Sequence, residues 1–128
     1  MSDLNVLHTK ASDLFEQQRF EECISACEQL HQEFESIVKP NDQQQALLVD
    51  SYYFHGCSLV LLGHYEEGLK VFTLAKQTSN DRKFDELLGD TYSYLGDYES
   101  AITCFQRSID ENILMKIFIL DKFLIANR

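Results

Sequence analysis

Cys23, Cys27 and His31 step by four residues along what the surrounding pattern predicts is one helix. That spacing would aim three soft donors at a single zinc ion. Two points weigh against it. The sequence offers no evident fourth ligand, and Cys23 and Cys27 fall on apolar positions where a thiol packs as a small hydrophobe. His55 and Cys57 are the residue types of a base and a nucleophile, but residues two apart on a helix do not face each other. Glu66 and Glu67 form an acidic pair of the type used in proton transfer. They also open a helix, where carboxylates favour the helix dipole, and that role suffices. His64 falls in the turn just before them. There is no phosphate loop, no nucleophile elbow and no metal motif at working spacing. The residues therefore predict no catalytic group, no metal, no cofactor and no enzyme.

Charge narrows the partners. The net charge is −10 and the sequence pI about 4.7, the opposite sign to the basic footprint that a phosphate backbone requires. Nucleic acid and anionic membrane surfaces are excluded as expected partners; a basic partner is allowed but not implied. The most apolar segment, 113–125, is interrupted by Lys116, Asp121 and Lys122 and is too short to span a bilayer. Met1-Ser2-Asp3-Leu4-Asn5 lacks the basic-then-apolar pattern of a secretory leader. The four cysteines lack paired framework spacing, so they are expected to be reduced thiols in the cytoplasm or nucleus.

The elements that must position these residues are helices. Leu4, Leu7, Ala11, Leu14 and Phe15 recur at three- and four-residue steps, and Phe20, Cys23, Ile24, Cys27, Leu30, Phe34 and Val38 draw a second stripe. These predict helices over about 3–17, capped by Ser2 or Asp3, and about 20–38, stopped by Pro40. Asn41 or Asp42 then caps a third helix running to about Leu62, ended by Gly63. Further helices are predicted over about 65–77, from the Ser79-Asn80-Asp81 break to Leu95-Gly96, and over about 98–109. Asp110-Glu111-Asn112 opens a seventh. No strand pattern survives between them. Three stretches also rhyme: Gln18-Arg19-Phe20-Glu21-Glu22-Cys23-Ile24, Gly63-His64-Tyr65-Glu66-Glu67-Gly68-Leu69 and Gly96-Asp97-Tyr98-Glu99-Ser100-Ala101-Ile102. The second and third start 33 residues apart (96 minus 63), the period of a stacked helical repeat.

So arranged, the chain resembles the tetratricopeptide repeat. Leu88, Gly89, Tyr92, Gly96, Tyr98, Ala101 and Phe105 fall on the family positions in the third unit. Tyr52, Gly56, Leu59, Gly63, Tyr65, Gly68, Phe72 and Ala75 do so in the second, and Leu7, Ala11, Leu14, Phe20, Cys23, Cys27 and Leu30 in the first. The expected fold is all-α, a right-handed solenoid of three helical hairpins (about 4–38, 49–79 and 82–112) plus a last helix over about 113–126, in one domain spanning 1–128. The small residues let paired helices approach and the aromatics fill the gap to the next hairpin. Lys10, His55 and Asp85 depart from the family's apolar preference, and no proline closes a repeat. The first spacing is 45 (63 minus 18), which predicts a lengthened second and third helix around 34–46. The order of hairpin, enlarged connection, two hairpins and apolar helix is also similar to the N-terminal part of the anaphase-promoting complex's seventh subunit, which would imply a self-associating scaffold of a cell-cycle ubiquitin ligase.

In this family the first helix of each pair lines a groove. The matched offsets place His8, Thr9, Ser12, Phe15 and Glu16, then Tyr53, Phe54, Cys57, Val60 and Leu61, then Glu86, Leu87, Asp90, Ser93 and Tyr94 on it. Its apolar, aromatic middle implies either a protein or peptide partner, or cover from the lengthened helices or the last helix. Where the family grips a peptide carboxylate with cationic side chains, this chain has His8, Ser12, Phe54, Glu86 and Asp90, so an acidic peptide tail is disfavoured. The last helix is apolar almost all round, through Ile113, Leu114, Ile117, Phe118, Ile119, Leu120, Phe123, Leu124 and Ile125. A terminal cap has a polar outer face, so Phe118, Ile119 and Phe123 are expected to meet a second copy, as a homodimer, or further repeats. The sequence thus predicts an interaction scaffold, with a peptide-binding adaptor or chaperone as the alternative.

Overall fold

A computed structural model describes residues 3–108 and 111–126. Seven helices are present among them: α1 (Asp3–Glu16), α2 (Phe20–Glu35), α3 (Asp42–Leu61), α4 (Tyr65–Ser79), α5 (Arg82–Tyr94), α6 (Tyr98–Arg107) and α7 (Glu111–Ala126). No strand occurs among the described residues. α1 packs on α2, α2 on α3, α5 on α6 and α6 on α7, the hairpin packing of a helical-repeat solenoid. The predicted Ser2 cap and Asp110 start lie outside the described residues.

The rhyme is a backbone motif. Gln18, Gly63 and Gly96 all take left-handed φ angles of 60°, 87° and 81°. Around each, the same bonds recur. Arg19 N–H donates to Leu14 O (2.9 Å), His64 N–H to Leu59 O (2.8 Å) and Asp97 N–H to Tyr92 O (3.0 Å). Each satisfies a carbonyl left open at a helix end, and each turn leads directly into the next helix. Asn41 starts α3 with a reciprocal capping box: its side chain accepts from Gln44 N–H (2.8 Å), and Gln44 Oε1 accepts from Asn41 N–H (2.9 Å). Asp81 and Asp97 cap α5 and α6.

The chain divides into two compact units, Met1–Val71 and Phe72–Arg128, with the boundary inside α4. The first unit is built on two clusters. Ala11, Leu14, Cys23, Ala26 and Cys27 interlock with Phe15 and Phe54, while Leu4, Leu30 and Leu48 gather Leu7, Phe34, Ile37, Leu47 and Tyr52. At its other end Gly68 lies so close to α3 that a Cβ there would come within 2.7 Å of Val60 Cγ2 and 3.5 Å of Gly56 O. The second unit is centred on Ala101, Phe105, Ile113 and Leu120, with Tyr92, Tyr98, Ile102 and Ile117 around them. A Cβ on Gly89 would meet the Phe105 ring at 2.4 Å, so the residue must be glycine for α5 and α6 to approach. Phe72 and Phe84, both buried, hold their rings 6.3 Å apart.

The end of α2 differs from expectation. α2 ends at Glu35, not near 38, and Val38 is 98% exposed instead of continuing the apolar stripe. Ser36 closes the helix: its hydroxyl donates to Glu33 O (2.7 Å) and Ile37 N–H donates to Phe34 O. The chain then runs as turn and bend to Asn41. The extra length of the first step is therefore carried mostly by α3, 20 residues against 13 in α5, and then by the connection at 36–41, while α2 with 16 residues is hardly longer than α4 with 15. α6 likewise ends at Arg107, two residues early.

Candidate interaction surfaces

The inner positions of the first unit form an aromatic network. Phe15 lies 5.4 Å from Phe54, 6.2 Å from Tyr53 and 5.8 Å from Phe20, and His8 meets Phe54 edge-on at 6.0 Å. Phe15, Tyr53, Phe54, Cys57 and Val60 are half-buried and Leu61 is exposed. These rings cover one another only partly. The Tyr53 hydroxyl is held above its usual range by the charge of Cys57 and by burial. His8 reaches from α1 to α3, its Nε2 3.1 Å from Asp50 Oδ2.

The Cys23–Cys27–His31 row does not converge. Cys23 Sγ donates to Ala11 O (3.3 Å), and Cys27 is held up as a neutral thiol by its hydrogen bond with Cys23 and by burial. His31 turns away to Ser51. The Ser51 hydroxyl donates to Leu48 O (2.6 Å), so its oxygen must accept from His31 Nε2–H (3.0 Å). The His31 ring lies 5.4 Å from His55 and 4.8 Å from Tyr52. Burial, then the neighbouring His55, pushes His31 down to about 4. Burial also lowers His55, against the pull of Glu28 and Glu67. No group of three or more metal-binding side chains occurs among the described residues. The α2–α3 histidine joint was hidden from sequence, because the register between two helices is not written in either.

In the second unit the inner face of α5 is already engaged. Lys116 of α7 donates to Glu86 Oε1 (3.0 Å) and Asp90 Oδ1 (2.8 Å), with its ammonium 5.2 Å from the Phe105 ring. Burial opposes its charge, but the bonds to Asp90 and Glu86 hold its pKa above the usual value. Leu87 is half-buried and Tyr94 is exposed. The departure at Asp85 has its own answer: the side chain is buried and bonded to Lys76 Nζ at 2.6 Å. The one sequence sign of the Lys116 contact was a charge interrupting an otherwise apolar run.

The other side of α7 is open. Ile113 and Leu120 are buried and Ile117 and Leu124 half-buried, one stripe along the helix. Leu114, Met115, Phe118, Ile119, Phe123 and Ile125 each leave roughly half or more of their surface to solvent. Met115, Phe118, Ile119, Lys122, Phe123 and Ala126 outline a shallow depression of about 400 Å³. Phe123 stacks on Tyr98 at 5.9 Å, and Lys122 Nζ sits 4.5 Å over Phe118. No helix among the described residues is long and apolar enough to cross a membrane.

The tetratricopeptide-repeat family model matches residues 86–112, from within α5 to the start of α7. The chain is tetratricopeptide-repeat-like. A search of curated proteins finds no match. Neither result supports the resemblance to the anaphase-promoting complex subunit. Tetratricopeptide repeats are typically non-enzymatic interaction modules, and this architecture points to a protein–protein interaction scaffold.

Proposed function

We propose that this tetratricopeptide-like chain is a non-enzymatic scaffold that self-associates through the outer face of α7. The observation that carries the reading is the row of large apolar side chains left open there, with Phe118 57% and Phe123 51% exposed. A continuous patch of this kind on a monomer marks an interaction surface. Its residues are larger than those packed between helices in the hairpins, which are Ala11, Cys23 and Ala26 in the first and Gly68 and Gly89 in the next two, whereas α7 has no glycine, alanine, serine or cysteine between Asn112 and Leu124. That favours a second copy over continuation into a further repeat. We extend the proposal to a place in a larger cytoplasmic or nuclear assembly, of which a cell-cycle ubiquitin ligase is one example.

A second reading is supported by the half-buried Phe15, Tyr53 and Phe54 rings, which would receive an apolar peptide as an adaptor or chaperone does. Two double substitutions separate the two. Charges at Phe118 and Phe123 (F118E/F123E) are expected to abolish chemical cross-linking between copies. Tyr53→Ala with Phe54→Ala should leave cross-linking unchanged. The reverse pattern would favour the peptide groove.

A further inference from the structure

A cleft of about 570 Å³ opens on the first unit between α2, α3 and the start of α4. Its apolar lining is Ile24, Leu59 and Val71, the last two buried. Glu28 of α2 and Glu67 of α4 stand on it, both exposed, with Lys70 beside them. Among the described residues neither carboxylate is in a salt bridge. His55 also lines the cleft, and its Nδ1 is buried with no hydrogen-bond partner. Glu28 and Glu67 both act electrostatically on that imidazole, so their fields converge on one point. α2 adds to the field: it carries Glu21, Glu22, Glu28, Glu33 and Glu35 and no lysine or arginine.

We propose that this cleft seats an arginine side chain of a protein partner. An arginine has an apolar stem to cover Ile24, Leu59 and Val71, and a planar fork of five donors that can serve two carboxylates at once. A lysine offers the same charge as a compact, strongly hydrated point and does not bridge two acceptors in a plane. An anion is disfavoured, since the cleft is lined by one lysine and two carboxylates. The surface is made by the second helices of the hairpins, α2 and α4, with His55 and Leu59 of α3 behind them. It is therefore separate from the aromatic network of α1 and α3 and from α7, and the proposal does not depend on self-association.

The test uses the whole chain and a blocked arginine, N-acetyl-arginine methylamide, titrated to millimolar concentration. Nuclear magnetic resonance follows the methyl groups of Ile24, Leu59 and Val71 and the ring of His55. The expected result is saturable shifts at these groups, absent with the uncharged isostere N-acetyl-citrulline methylamide. Glu28→Gln and Glu67→Gln should each weaken binding about 5-fold or more, and Lys70→Gln should tighten it about 2-fold. Glu33→Gln, on the same helix but outside the cleft, should change it by less than about 2-fold. The proposal is overturned if no saturable shift appears, if the citrulline compound moves the same methyls equally, if N-acetyl-lysine methylamide titrated in the same way binds as tightly, or if Glu33→Gln costs as much as Glu28→Gln.

Discussion

The two units turn their helical hairpins with the same backbone bonds and tie them with different chemistry. In the first, two side-chain pairs that tie helices together use histidine: His8 to Asp50 from α1 to α3, and His31 to Ser51 from α2 to α3. In the second they are lysines on carboxylates: Lys76 to Asp85 and Lys116 to Glu86 and Asp90. All four histidines of the chain lie at or before His64, so the second unit has none. The turns entering α2, α4 and α6 share one hydrogen-bond pattern. The repeat therefore specifies backbone closure and apolar packing, and leaves each helix joint free to be tied by whatever polar pair suits it. The consequence is that acid should loosen the first unit through groups that the second lacks.

The largest expected effect is at the buried lysine tie. Asp85 is 0% exposed and its Oδ1 already has no partner. Lys76→Met would leave that carboxylate uncompensated and cost about 3 kcal/mol in denaturant unfolding, while adding Asp85→Leu should recover most of the loss. The corresponding cut in the first unit, Asp50→Ala, breaks a pair whose aspartate is half-exposed and should cost under about 0.5 kcal/mol. If the two cuts cost the same, the contrast fails. Next is Gly89→Ala. Its Cβ must displace the fully packed Phe105 ring, and the loss should be about 2 kcal/mol even after the gain in helix propensity.

Acid sharpens the contrast further. His31 titrates near 4 in the folded chain against about 6.5 when unfolded. Between those values the unfolded chain binds the extra proton, so this stability is fully present above about pH 6.5 and is lost as pH falls toward 4. Partial exposure reduces the full linkage, leaving about 2 kcal/mol. His31→Gln keeps a donor for Ser51 and should flatten the wild-type slope of stability against pH in that window. Hydrogen exchange should show α2 and α3 losing protection in acid before α5 and α6. A smaller effect than at Lys76, Gly89 or His31 is expected at the first rhyming turn. Gln18 takes a left-handed φ where its counterparts are glycine, so Gln18→Gly should add about 1 kcal/mol, while Gly96→Ala should remove a similar amount.

Most helix positions were legible because their signals are local. The Asn41 box, the Asp81 cap and the three turns depend on residues within a few positions of each other. Val38 misled because an apolar residue at helical spacing carries no information that the helix has already closed at Ser36. The site was less legible. His31 sat in a plausible metal row, and only the packing of α3 on α2 turns it to Ser51 and His55. Lys116 and its two carboxylates are 26 and 30 residues apart in sequence, a distance over which periodicity is silent. The open face of α7 could be suspected from its composition, because a helix apolar all round cannot bury every side on one hairpin.

The central claim is that α7 joins two copies of the chain, and sedimentation equilibrium tests it most directly. The unmodified chain, run from about 1 to 100 µM at neutral pH, is predicted to rise from the monomer mass of 14.9 kDa toward twice that value, and a chain carrying Phe118→Glu to stay at the monomer. A mass of 14.9 kDa across the whole range, or a dimer untouched by Phe118→Glu, would contradict it.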